Sequence, residues 1–290
     1  MSTWEQDIND INTALERFLP AATTFPTEIH RAVRYSVFAG GKRLRPLLTL
    51  ATADIFAVGH QEAMPTACAI EMIHTYSLIH DDLPALDNDD YRRGRPSNHK
   101  VFGEAMAILA GDALLTQAFA TLATESSFPA AVVVALQQEL SRAAGMAGMI
   151  GGQVVDIISE GKPVNADILD YIHQHKTGAL FTCCIRSGAI MGAASVADVA
   201  ALTQFAEKIG LAFQIVDDIL DITGDDTTLG KKTGSDVSKQ KMTYPALYGL
   251  EKAQQKADLL LTEAFAALQP FGEAATNLTQ LAQTLVKRNS

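Results

Sequence analysis

At 290 residues the chain is long enough to bury a sizeable core, as one large domain or two small ones. Hydrophobic residues make up 48% and charged residues only 19%, a balance that excludes disorder and reads as a globular protein rich in alanine and leucine. With 33 acidic and 23 basic residues the net charge is -10, which argues against nucleic acid or an anionic membrane as the bulk partner and means that an anionic substrate would need locally placed cations.

Apolar residues recur at helical spacing along most of the chain and strand-like alternation is scarce, so an all-α helical bundle is predicted. The first helices are expected at roughly 3 to 18, 27 to 38 and 43 to 58. Pro20 and Pro26 bracket the first connection, Gly40-Gly41 closes the second helix, and Pro46 suits the first turn of the third, where a missing N–H costs nothing. Lys42, Arg43 and Arg45 crowd that junction, and three cations at a helix start oppose the helix dipole. A bound phosphate would remove the conflict: Lys42 and Arg45 can grip one diphosphate together, and the glycines free backbone for close approach. A solvated helix end explains this group alone equally well.

The next helix, roughly 62 to 82, ends in Asp81-Asp82, with Asp87 beyond Pro84. Asp81 and Asp87 are six apart and share no face of a straight helix, so this cluster must straddle a helix end and a loop. His74 shares a helix face with it and gains a functional reading only beside Lys42 and Arg45, as a third donor to one anion. Segment 83 to 99 reads as a polar loop in which Arg92, Arg93 and Arg95 either are simply solvated or neutralise anionic charge beside the acidic cluster.

Further helices are expected at roughly 101 to 123, 128 to 146, 164 to 175, 177 to 194, 196 to 222 and 243 to 268, with one more near the C-terminus. Lys176-Thr177-Gly178 falls between two of them. Gln214 interrupts the apolar run Leu211 to Val216 and needs a hydrogen-bond partner. That run ends in Asp217, Asp218 and Asp221, whose spacings of three and four put carboxylates on one flank of a helix. A second polar loop, 223 to 242, carries Lys231, Lys232, Lys239 and Lys241. Apolar helix, acidic cluster and charged loop thus occur twice, and hard carboxylate oxygens in this arrangement point to magnesium and diphosphate. His80, His173 and His175 show no pattern and are read as structural.

Cys68, Cys183 and Cys184 give neither a disulfide framework nor zinc-ligand spacing, which fits a reducing compartment. The start, Met1 to Asp7, lacks a basic region followed by an apolar stretch, and no uninterrupted apolar run reaches membrane-spanning length. The chain is therefore expected to be soluble, unprocessed and cytoplasmic, with no nucleic-acid partner and no stable membrane association.

Taken together, Gly40-Gly41-Lys42-Arg43-Leu44-Arg45-Pro46, Ser77 to Asp82 through Asp87, Arg92-Arg93-Gly94, Lys176-Thr177-Gly178, Phe213 to Asp218 with Asp221, and Lys231 with Lys241 resemble the short-chain trans-prenyl diphosphate synthases, nearest to their bacterial farnesyl branch. The match spans nearly the whole chain. It implies an isoprenoid-synthase helical bundle around a deep central cavity, a single polyprenyl synthase domain over 1–290, and a homodimer. It further implies that isopentenyl diphosphate is condensed with dimethylallyl and geranyl diphosphate to give (2E,6E)-farnesyl diphosphate and diphosphate. Asp81, Asp87 and Asp217 would bind three magnesium ions, for which manganese can substitute, with Asp82, Asp218 and Asp221 supporting them. Arg92, Lys176, Lys231 and Lys241 would hold the allylic diphosphate, with Lys232 an alternative to Lys231. Lys42, Arg45, His74 and Arg93 would hold isopentenyl diphosphate, while Thr177, Gln214 and the Lys176 carbonyl would face the carbocation.

Product length is expected to depend on Tyr76 and Ser77. Tyr76 lies five residues before Asp81, roughly 7.5 Å down a helix rising about 1.5 Å per residue, and is large enough to floor the chamber. An ordinary core tyrosine is the plain alternative. The four residues between Asp82 and Asp87 occur in bacterial farnesyl and in geranylgeranyl enzymes alike, so a geranylgeranyl product is the runner-up. A non-catalytic partner subunit would typically have lost an acidic cluster. A terpene cyclase would carry Asn or Ser/Thr in the second one and need no second diphosphate pocket.

Overall fold

A computed structural model describes residues 4–162, 165–223 and 243–286. The chain is all-α, as its periodicity predicts, apart from one short hairpin. In order come α1 Glu5–Phe18, α2 Thr27–Val37, α3 Leu44–Ile55, α4 His60–Asp81, the hairpin strands β1 Tyr91–Arg92 and β2 Arg95–Pro96, α5 Asn98–Phe102, α6 Glu104–Glu125 and α7 Ala130–Ala144. There follow α8 Met149–Ser159, α9 Ala166–Ile172, a π-helical segment His173–Gly178, α10 Ala179–Met191 and α11 Val196–Thr223. The C-terminal part is α12 Tyr244–Tyr248, α13 Leu250–Leu268, a 3-10 segment Gln269–Ala275 and α14 Thr276–Val286.

The helices group into two compact units, one formed by Met1–Leu50 with Gly59–Gln137, the other by Ala51–Val58 with Gln138–Ser290. In the first, α4 runs along α6, with α1 and α2 against them. α1 buries Ile11, Ala14, Leu15 and Phe18, the i, i+3, i+4, i+7 stripe of a surface helix. α4 is apolar all round and is buried almost continuously from Ala63 to Tyr76, as befits a central helix. In the second unit α11 lies along α13 and against α10, and the π segment contacts α8, α9, α10 and α11.

α6 and α11 are long and apolar enough by length and composition to cross a membrane. Both are packing helices here: α6 buries Ala107, Ala110, Leu114 and Ala118, and α11 buries Leu202, Phe205, Ile209 and Ile215. The structure departs from the predicted elements in several places, among them the hairpin and the start of α5 within the expected loop 83 to 99. α8 was not expected, the expected helix 243 to 268 breaks at Gly249, and the two helices expected around Lys176 are one run joined by the π segment.

Candidate active site

In the first unit the acidic cluster is built by the end of α4 and the turn after it. Leu83 N–H donates to His80 O at 3.0 Å, Leu86 N–H to Leu83 O at 2.9 Å, and Asp87 N–H to Asp81 O at 2.8 Å. This turn closes the six-residue spacing and brings the Asp87 backbone against Asp81. Asp81 and Asp87 stay partly exposed, whereas Asp82 is turned inward and only 2% exposed. Its carboxylate is held by Arg92, with Nε at 3.0 Å from Oδ1 and 3.3 Å from Oδ2 and a further short contact from Nη2 to Oδ1. Burial raises the Asp82 pKa, and the hydrogen bond from Arg92 opposes the rise.

Arg92 and Arg93 are aimed differently because Arg92 ends β1 and Arg93 begins the turn to β2. Arg93 and Gly94 have φ of 53° and 73°, the left-handed pair of a tight hairpin turn. Arg92 reaches Asp82, while Arg93 Nη1 donates to Gly40 O. A Cβ on Gly41 would stand 2.7 Å from Arg93 Cζ, and Gly41 has φ +123°. The glycine pair therefore makes room for a guanidinium.

The cations of the Gly40 to Pro46 junction divide by burial. Arg43 is buried, with Nη1 2.9 Å from Glu71 Oε1, Nε 2.9 Å from Asn12 Oδ1 and Nη2 2.7 Å from Val37 O. Lys42 is exposed and Arg45 partly so. His74 lies among arginines: burial first, then Arg45, Arg93, Arg92 and Arg43, hold its pKa well below the ordinary histidine value. The structure thus gathers Arg45, His74, Arg92 and Arg93 into one positive field around a neutral imidazole. Ser77 Oγ donates to His74 O at 2.9 Å, and the Tyr76 ring meets the His80 ring edge-on at 5.8 Å.

In the second unit α11 carries Gln214, Asp217, Asp218 and Asp221. Asp217 is partly exposed, while Asp218 and Asp221 are buried, so the three do not share one accessible flank. Asp218 Oδ2 meets His173 Nε2 at 3.1 Å and accepts the Tyr244 N–H at 3.0 Å. On the π segment, Thr177 Oγ1 donates to Gln214 Oε1 at 3.0 Å, and Lys176 Nζ donates to Asp156 Oδ2 at 2.8 Å. A Cβ on Gly152 of α8 would stand 2.1 Å from Lys176 N, so α8 crosses the segment at backbone contact. Lys231 and Lys241, with the alternative Lys232, lie outside the described residues. Among the described residues no group of three acidic, His or Cys side chains forms a ready cation cage.

Residues 26–279 match the family described as polyprenyl synthetase. The chain belongs to the polyprenyl synthetase family. The farnesyl diphosphate synthase of Escherichia coli is 45% identical over 292 residues, covering 98% of this chain and 97% of that one. The geranylgeranyl diphosphate synthase of Cyanophora paradoxa is 45% identical over 282 residues, covering 97% and 93%. The crystal structure of a geranyltransferase from Helicobacter pylori, complexed with magnesium and isoprenyl diphosphate, superposes with a TM-score of 0.88 at 34% identity, covering 99% of this chain and 97% of that one. This polyprenyl synthetase is a trans-prenyltransferase with the all-α isoprenoid-synthase fold.

Two residues of this polyprenyl synthetase that sequence reasoning passed over, Glu71 under Arg43 and Asp156 under Lys176, and one that it reads as structural, His173 against Asp218, stand beside these side chains. Glu71 and Asp156 each interrupt an apolar run, the same signal that singles out Gln214, and could have been found by it. His173 meets a partner 45 residues away and has no local signal.

Proposed function

We propose that the enzyme makes mainly farnesyl diphosphate, by condensing isopentenyl diphosphate with dimethylallyl and then geranyl diphosphate. The observation that carries the product length is Tyr76: it is 5% exposed, sits five residues before Asp81 on the same helix, and its buried hydroxyl finds no partner among the described residues. Burial and then Asp81 push its pKa up to about 12, so it stays a neutral, bulky floor. A packing residue would not need that hydroxyl, since phenylalanine fills nearly the same volume without an unsatisfied group. A geranylgeranyl product is the second reading, favoured by the 45% identity to the Cyanophora enzyme. Tyr76→Ala is expected to move the product distribution toward twenty carbons or more. The check is incubation with magnesium, geranyl diphosphate and labelled isopentenyl diphosphate, followed by chain-length analysis. An unchanged distribution from a folded, active variant would assign the length to other residues.

The proposed division of labour follows exposure. Asp81, Asp87 and Asp217 are the partly exposed carboxylates and would hold magnesium, three ions in all with manganese able to substitute. Bound magnesium would supply positive charge against the departing diphosphate. Asp82 keeps Arg92 fixed, and Arg92 and Lys176 bind the allylic diphosphate with Lys231 and Lys241. Thr177, through its remaining lone pairs, and the Gln214 oxygen present negative dipoles to the allylic carbocation until the isopentenyl double bond attacks it. Released diphosphate then takes the proton. The resemblance supports a single catalytic domain acting as a homodimer in the cytoplasm.

Isopentenyl diphosphate is assigned to Lys42, Arg45, His74 and Arg93, supported by the shared positive field around His74. Alanine at Lys42 or Arg45 is expected to raise the apparent KM for isopentenyl diphosphate by about tenfold or more, the scale of one lost charge-assisted contact. The KM for geranyl diphosphate should change much less. Steady-state kinetics with each substrate varied in turn decides this, and a larger effect on the allylic side would reverse the assignment of the two pockets.

A further inference from the structure

We infer that His173 is a positioning residue for the second acidic cluster, fixing the π segment to α11 so that Lys176 and Asp217 keep one spacing. The inference rests on the proposed roles of those two residues toward the allylic diphosphate and its magnesium.

Two polar rungs join the π segment to α11, Thr177 to Gln214 at 3.0 Å and His173 to Asp218 at 3.1 Å. The partners are four residues apart on both sides and run in opposite directions, so the rungs define a register. A Cβ added to Gly210 would stand 3.3 Å from Gly178 Cα, and one added to Gly152 would strike Lys176 N, so the flanking contacts are close and made by glycine. Such contacts set distance but not direction, whereas hydrogen bonds are directional.

His173 is anchored beyond its rung. Its ring stacks on Tyr244 with centroids 5.7 Å apart and an interplanar angle of 16°. The Tyr244 hydroxyl in turn donates to Asp170 Oδ1, one turn before His173, and the Tyr244 N–H shares Asp218 Oδ2 with the imidazole. Asp170, His173, Asp218 and Tyr244 thereby close a ring through α9, the π segment, α11 and α12. Holding Asp218 inward fixes the rotation of α11 at that point, and with it the direction of Asp217, one residue round the helix. Holding the start of the π segment fixes Lys176, three residues on. A histidine that merely fills the core would need neither the shared carboxylate nor the matched spacing.

The test compares wild type with His173→Phe, which keeps a ring against Tyr244 but loses the nitrogen, and His173→Gln, whose amide can reach where Nε2 does. Asp217→Ala is run alongside. Two quantities are measured: the rise in melting temperature caused by magnesium with inorganic diphosphate, and the KM for each substrate. The expected result is that His173→Phe loses more than half of that rise. Its KM for geranyl diphosphate should increase about tenfold with the isopentenyl diphosphate KM within twofold of wild type, and His173→Gln should recover most of both. Equal increases in the two KM values, wild-type behaviour of His173→Phe, or failure of His173→Gln to recover would overturn the inference. If His173→Phe does not fold, His173→Asn, too short to reach Asp218, is judged by the same ratios. An Asp217→Ala variant with wild-type turnover and ligand response would instead overturn the underlying site assignment.

Discussion

Replacing Asp81 or Asp217 by alanine is expected to lower turnover by about two to three orders of magnitude, the scale on which removal of one group that stabilises developing charge slows a reaction. Both carboxylates are partly exposed where Asp82, Asp218 and Asp221 are buried, so they are the ones a hydrated cation can reach. Chelation of divalent ions should silence the wild type, and added magnesium or manganese should restore it. The alanine variants should require far more metal for half-maximal rate, because each loses a hard ligand. Turnover against metal concentration, with circular dichroism to show that the variants fold, is the measurement. A folded Asp81→Ala or Asp217→Ala enzyme with near-wild-type turnover would remove that residue from the metal site.

Glu71→Ala should destabilise the protein by about 3–5 kcal/mol, the range for breaking one side of a buried ion pair. Glu71 and Arg43 have side chains each 2% exposed, and their 2.9 Å contact leaves little water to screen a widowed guanidinium. The two remaining Arg43 bonds, to Asn12 and Val37, go to uncharged acceptors and cannot replace the carboxylate's charge. Arg43 has φ 48°, so the pair also holds an unfavourable backbone turn between Lys42 and Arg45. Chemical denaturation of wild type and variant gives the difference directly. A loss below about 1 kcal/mol, typical of a surface pair, would mean that Arg43 is held by its neutral acceptors instead.

The class of fold was legible because apolar spacing is a periodic signal, and the acidic clusters are visible in the sequence as Asp at the ends of apolar runs. The helix α8 was not, since Met149-Ile150-Gly151-Gly152-Gln153-Val154-Val155 is poor in strong helix formers. Of its two glycines, Gly152 is explained by the backbone of the π segment that crosses it, which no local pattern encodes. Likewise Thr177-Gly178 reads as a break, yet Gly178 stays helical because it packs against Gly210. Spacing put Asp217, Asp218 and Asp221 on one flank. Tertiary partners decided otherwise, drawing Asp218 inward to His173 and Tyr244. At the junction Gly40 to Pro46 the sequence sets Lys42 and Arg45 apart by their spacing of three but gives Arg43 no role, because its burial depends on an acid on another helix.

The π segment has a consequence for the direction of its side chains. A stretch that widens from i−4 to i−5 pairing and narrows again holds one more residue than an α-helix of the same rise, so side chains within it leave at different angles from those of an unbroken α-helix. His173–Gly178 does this between two α-helical stretches, without a proline. Lys176 and Thr177 lie within that widened turn, so the direction in which their side chains leave the helix is set by the backbone itself and not by any single side-chain contact.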